Sequence, residues 1–234
     1  MPPTLQRVVL PRVLSWADID RLTESLRATP QATRVVVLEG GEGVFCEGGA
    51  LDGAEQARPR RFAALLAALE RDPRPVIALI DGPALGAGAG LAAASDVVLA
   101  TRRATFGLPE TLLGLIPAMV FPALARRIGI PRARRLALGA EPLSADEAFR
   151  VGLVDEVTDD LEAALARHAR RLARMDPHAV ATFKALLADH FPMPPAYEEQ
   201  AAARLGELLA RPEAQARIRR FLSGHAPWPD EGPA

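Results

Sequence analysis

Two glycine-rich loops and one glutamate carry the chemistry open to this chain. The first loop, Gly43-Val44-Phe45-Cys46-Glu47-Gly48-Gly49-Ala50, comes directly after a β-branched run. Paired glycines permit φ above zero and let a ligand approach the main chain, so amide N–H groups can be aimed outward. Alone, a Gly-Gly pair is more often a plain turn. In the second loop, Asp81-Gly82-Pro83-Ala84-Leu85-Gly86-Ala87-Gly88-Ala89-Gly90-Leu91, small residues occupy the first turns of a helix that follows a strand. Such a helix start offers free N–H groups and the positive end of a dipole, which together stabilise an oxygen anion. The same residues would also serve as a close helix-packing face. A phosphate loop is disfavoured, because no Gly-Lys-Ser/Thr follows. Glu110 stands beside the rigid Pro109 in Phe106-Gly107-Leu108-Pro109-Glu110, just before the apolar run Leu112-Leu113-Gly114-Leu115-Ile116-Pro117. A carboxyl among apolar neighbours has a raised pKa and can accept and return a proton near neutrality. Taken singly, a glutamate is more often a surface charge.

The elements that must position these residues alternate. Ser15 reads as the N-cap of a helix whose apolar residues Trp16, Ile19, Leu22 and Leu26 recur until Pro30. Arg34 to Glu39 reads as a buried strand, Arg61 to Arg71 as a helix, and Pro75 to Ile80 as a second strand. Asp81-Gly82-Pro83 reads as a turn, Leu85 to Ser95 as a Gly/Ala helix, and Asp96 to Ala100 as another strand. This order predicts a parallel sheet covered by helices. Further on, helices are expected over Pro117 to Ile128, Arg132 to Leu138 and Ala145 to Gly152, then a strand over Leu153 to Val157. Asp160 to Met175, Pro177 to His190 and Tyr197 to Leu222, the last interrupted at Pro212, form a helical tail.

The composition sets limits on the function classes. At 234 residues, 49% hydrophobic and 24% charged, the chain has the balance of a globular protein, expected as one domain. A net charge of −1, with basic clusters such as Arg132-Ala133-Arg134-Arg135 offset by acidic stretches, does not point to nucleic acid. Neither an apolar leader nor a membrane span is read, and the single cysteine suits a reducing, cytoplasmic compartment. Cys46 is expected to be a packed thiol. His168, His178, His190 and His225 show no metal spacing, and Asp96 and Asp155 are expected to anchor strands.

Four motifs taken together resemble the crotonase (enoyl-CoA hydratase/isomerase) superfamily. They are Phe45-x-x-Gly48-Gly49, Asp81-Gly82-x-Ala84-x-Gly86-Ala87-Gly88, Phe106-Gly107-x-Pro109-Glu110-x-x-x-Gly114-x-x-Pro117 and Ala148-x-x-x-Gly152-Leu153-Val154-Asp155. More narrowly, Phe45-Cys46-Glu47-Gly48, Ala92-Ala93-Ala94-Ser95-Asp96, Gly114-Leu115-Ile116-Pro117-Ala118 and Pro227-Trp228 are similar to the 3-hydroxy-3-methylglutaryl dehydratases of polyketide β-branching cassettes.

The resemblance implies an α/β, crotonase-like (ββα)n spiral core over residues 1–158. Residues 159–234 would then be a helical trimerisation or lid region of the same domain. It implies an oxyanion hole from the N–H groups of Gly49 and Ala87, with Glu110 as the catalytic carboxylate. Phe45, Gly48, Gly86, Gly90, Pro109, Leu115 and Pro117 would line the substrate pocket. The substrate would be an acyl thioester on the phosphopantetheine of acyl carrier protein or on CoA. Neither a metal nor a redox cofactor is implied, and the assembly would be a homotrimer or a dimer of trimers.

Several features depart from the family. The second glutamate of the hydratases would fall at Gly90, which disfavours simple hydration and leaves dehydration or double-bond isomerisation. A catalytically silent binding protein is the reading from another class. Ala50 stands where the family places an aspartate, with Asp52 two residues later. Only fourteen residues precede Ser15, where family members have a β-hairpin, so part of the CoA nucleotide surface is expected to be missing. Arg58-Pro59-Arg60-Arg61 would suit a solvated face, the phosphate of a phosphopantetheine arm or an acidic carrier protein.

Overall fold

The structure is a computed structural model that describes residues 4–28, 30, 32–49, 58–190 and 195–228. Ala50 and Asp52 lie outside the described residues, as do the side chains of Arg58, Pro59 and His190. Five parallel strands form the main sheet in the order β1 (Leu5–Val9), β2 (Val35–Glu39), β3 (Val76–Ile80), β5 (Val97–Ala100) and β8 (Glu156–Val157). A smaller sheet pairs β4 (Pro83–Leu85) in parallel with β6 (Thr105–Gly107), and β6 antiparallel with β7 (Leu143–Ser144).

The continuous apolar runs of the central strands follow from burial on both faces. In β2, Val36 and Leu38 enter the larger core cluster, while Val35 and Val37 enter a second one with Ile77, Leu79 and Leu99. On the larger-core side lie α1 (Trp16–Arg27), α2 (Arg58–Arg71) and α3 (Ala87–Ala94). They are followed by α4 (Phe121–Ile128), α5 (Ile130–Gly139) and α6 (Ala145–Val151). The other face is closed by α7 (Leu161–Leu172), which contributes Ala164, Leu165 and Ala169. α8 (Pro177–His190) and α9 (Pro195–Leu209) pack on α2, and α10 (Pro212–Leu222) packs on the 3-10 turn Pro109–Leu113.

Local signals set several of these boundaries. Ser15 accepts from the Asp18 N–H, and Asp18 accepts from the Ser15 N–H, a reciprocal cap that starts α1 where expected. Asp96 accepts from the Val76 N–H (2.7 Å) and Asp155 from the Val98 N–H (2.7 Å), so both carboxylates anchor strands. The single lysine, Lys184, is buried in α8 and donates to Asp96 (2.5 Å) and to the carbonyls of Arg74 and Leu69.

The structure also departs from expectation. A parallel edge strand, β1, precedes α1, with Leu5 opposite Val35. Pro83, read as part of a turn, opens β4, while β6 and β7 complete a small sheet that was not expected. Among the described residues, no helix is long and apolar enough to cross a membrane.

Candidate active site

The parallel strands deliver their C-terminal loops to one end of the sheet, where β2 leads into the Gly43–Gly49 loop and β3 into Asp81–Gly86. The two loops interlock closely. A Cβ at Gly82 would sit 1.8 Å from the Gly43 carbonyl oxygen, and one at Gly88 would sit 2.1 Å from that of Cys46. Only glycine allows this approach of one backbone to another. The Phe45 and Cys46 N–H groups both donate to the Pro83 carbonyl at 3.1 Å, and the Leu85 N–H donates to the Cys46 carbonyl at 2.8 Å.

Gly86, with φ 51° and ψ −111°, caps α3 without any side-chain hydrogen bond. The helix start therefore keeps its N-terminal donors open, with Ala87 first among them. On the facing loop, Leu14 bridges Gly49 in parallel, and the Leu14 N–H donates to the Gly48 carbonyl at 2.9 Å. In a parallel bridge the residue that is faced turns its own N–H away from its partner. Among the described residues, neither the Gly49 nor the Ala87 N–H donates to a main-chain carbonyl.

Glu110 lies against these two loops. The point where a Gly86 Cβ would sit is 3.1 Å from Glu110 Oε1 and 3.8 Å from the Gly48 Cα. Pro109 opens the 3-10 turn that carries Glu110, and the left-handed Gly114 (φ 78°) closes it. From outside, the Thr111 hydroxyl donates to the Ala137 carbonyl (3.0 Å) and Arg217 donates to the Leu112 carbonyl (2.9 Å). The residue as a whole keeps partial exposure, but its Oε2 is sealed from solvent without a hydrogen-bond partner. Burial pushes the carboxyl up to about 7 from an ordinary 4.5.

The remaining expected residues separate into two groups. Gly48, Gly49, Gly86, Ala87, Pro109 and Glu110 gather around the interlocked loops. Phe45 is fully buried in the core, and Leu115 packs with Leu113, Ala214 and Ile218 against α10. Pro117 accepts from the Phe121 N–H at the turn that leads into α4. Gly90 turns its side-chain direction into packing, where a Cβ would meet Val120 Cγ1 at 2.6 Å and Leu66 Cδ1 at 3.6 Å. Sequence reasoning missed Val120 and Leu66, and also Leu14, because each acts from an element distant in sequence. The Cys46 thiol is buried, pushed up to about 11 by burial, and points its sulfur at the Gly48 carbonyl. Cavities of about 570 and 800 Å³ lie elsewhere, one beside Arg34 and Pro75 at the strand N-termini and one between α2 and α8.

Two interlocked glycine loops with a buried acid against them thus stand at the C-terminal end of this α/β core. The chain belongs to the enoyl-CoA hydratase/isomerase family, whose model matches residues 13–225, and is a hydratase/dehydratase-like enzyme of the crotonase fold. It is 31% identical over 207 residues to the bacillaene synthase dehydratase PksH of Bacillus subtilis, covering 84% of this chain and 80% of that one. A Rhodobacter capsulatus protein named a probable enoyl-CoA hydratase is 36% identical over 218 residues, with 87% and 85% covered. An enoyl-CoA hydratase from Mycobacterium avium superposes with a TM-score of 0.84 at 31% identity, over 95% of this chain and 92% of that one.

Proposed function

We propose that the chain dehydrates a β-hydroxyacyl thioester carried on the phosphopantetheine arm of an acyl carrier protein. The observation that carries this reading is the buried Glu110 carboxyl, whose Oε2 has no partner, poised near neutrality beside Gly86 and Gly48. The thioester carbonyl accepts from the N–H groups of Gly49 and Ala87. Ionised Glu110 takes the proton from the α-carbon, and the charge that develops on the carbonyl oxygen is held by those donors, contributing about 3–4 kcal/mol each. The electron pair of the C–H bond becomes the α,β double bond as the β C–O bond breaks. Glu110 returns its proton to the departing hydroxyl, which leaves as water, and the carboxylate is regenerated.

Support comes from two sides. The relative PksH is named a dehydratase. The position where the family resemblance places a second, water-activating carboxylate is Gly90, whose Cβ direction is closed by Val120, so Glu110 is left to carry both proton transfers. That closure is equally compatible with an isomerase in which Glu110 returns the proton to the γ-carbon. Mass spectrometry separates the two, since dehydration removes 18 Da and isomerisation removes nothing. The helices after residue 158 are read as a trimerisation or lid region of a homotrimer.

Glu110→Gln tests the role directly. General acid–base catalysis contributes about 100- to 10,000-fold, and turnover of a carrier-bound 3-hydroxyacyl thioester is expected to fall by that much with the fold intact. A near-normal rate would remove Glu110 from the mechanism.

A further inference from the structure

α5 and α6 expose large apolar side chains among arginines. Ile130 (65%), Leu138 (67%) and Phe149 (52%) stand out into solvent. Ile130, Arg134 and Leu138 recur every four residues and so share a stripe along α5, with Arg135 beside it. Arg150 follows Phe149 on α6. Among the described residues, Arg134, Arg135 and Arg150 form no ion pair and no hydrogen bond, whereas many other arginines of the chain do.

Glu147 joins the two helices into one patch. Its carboxyl is held below the usual range first by the hydroxyl and amide of Ser144, and then by the charges of Arg150 on its own helix and Arg135 on α5. The patch remains net positive on a chain whose overall charge is −1. It also adjoins the active-site turn. The Ala137 carbonyl, one residue before Leu138, accepts from Thr111, the neighbour of Glu110. Pro142 packs on Gly107, and Leu143 pairs with Phe106 on the strand leading to Glu110.

We infer that this face of α5 and α6 docks an acidic amphipathic helix of the protein that carries the thioester, with Leu138 and Phe149 as apolar anchors and Arg134, Arg135 and Arg150 as charge partners. The inference rests on the proposed carrier-bound substrate. A second copy of this chain meeting the patch with its own would set arginine against arginine, and a three-fold contact, which joins unlike surfaces, would instead bury Leu138 and Phe149 in the oligomer and overturn the inference. Apolar anchors rimmed by positive charge instead complement a helix with an apolar stripe and acidic flanks.

The test uses the full-length enzyme and the variant Arg134→Glu/Arg135→Glu/Arg150→Glu. Binding of a phosphopantetheinylated acyl carrier protein is measured by calorimetry at low and high salt, independently of turnover. Dehydration is then measured on the same 3-hydroxyacyl group attached to carrier protein, to CoA and to free pantetheine. The expected result is salt-sensitive carrier binding that weakens at least tenfold in the variant. KM should rise by a similar factor on the carrier-bound substrate alone, with kcat unchanged. Equal losses on the CoA thioester would instead show a phosphate site and overturn the inference, as would carrier binding that is absent in the wild type or unchanged in the variant. A wild type that binds carrier protein but removes 18 Da from none of the three substrates would overturn the dehydratase reading and leave the docking surface standing.

Discussion

In the role proposed for it, Glu110 would favour chemistry at the expense of stability. Its carboxyl sits at about 7 in the folded chain, against an ordinary 4.5, because burial penalises the charged form. The folded state thus holds the proton more tightly than the unfolded chain. The stabilisation from the neutral acid is fully present below about 4.5 and is lost as pH rises through about 7, a change of about 3 kcal/mol. Glu110→Gln, which cannot ionise, should therefore be more stable than the wild type at pH 8.5. That advantage should shrink toward pH 4.5, as read from urea midpoints. In the wild type, kcat/KM should rise with pH through about 7, as the acid becomes the carboxylate that accepts a proton. Gly90 makes the complementary case. Its Cβ direction is filled by Val120, so Gly90→Ala overpacks the core and should cost about 1–3 kcal/mol. Combining it with Val120→Ala should give less than the sum of the two single losses in a double-mutant cycle.

At the scale of elements, the parts that sequence made legible are those stabilised locally or buried on both sides. The α1 boundary follows from Ser15 and Asp18, three residues apart, and β2 and β3 follow from uninterrupted apolar runs. β1 was missed because an edge strand pairs on one side only, and its Gln6, Arg7 and exposed Val9 blur the pattern. β4, β6 and β7 are two or three residues long and are defined by partners about twenty to forty residues away. In the candidate site, the two glycine loops and Glu110 stood out by residue type, while the roles given to Glu110, Gly86 and Gly48 are what the family resemblance implies. The filling of the Gly90 position by Val120 was not legible, since it depends on how α3 meets the segment before α4. The same long-range logic governs Asp96, which joins β3, the start of β5 and α8 through Val76 and Lys184. Asp96→Ala would leave the buried Lys184 charge without its carboxylate. A loss of about 3–5 kcal/mol in denaturant melts is expected, the larger part of it regained in Asp96→Ala/Lys184→Met.

For the whole molecule, the sheet divides the work between the two ends of its strands. Strand C-termini converge on the glycine loops and Glu110, and helices from the far end of the chain return to brace that turn, α10 through Arg217 and through Ala214 against Gly114. The opposite end carries the buried Lys184 and its carbonyl partners. Of the chain's 28 lysines and arginines, Lys184 is the sole lysine, and it is 6% exposed. Activated acyl groups spontaneously modify free amines, whereas guanidinium stays protonated and inert near neutrality. A protein that works among such reactive cargo, with arginine supplying every other long cationic side chain, is thereby shielded from being tagged by it. Long incubation of the native enzyme with excess acyl-CoA should leave residue 184 unmodified in peptide maps, and the adduct should appear there only once urea has opened the fold.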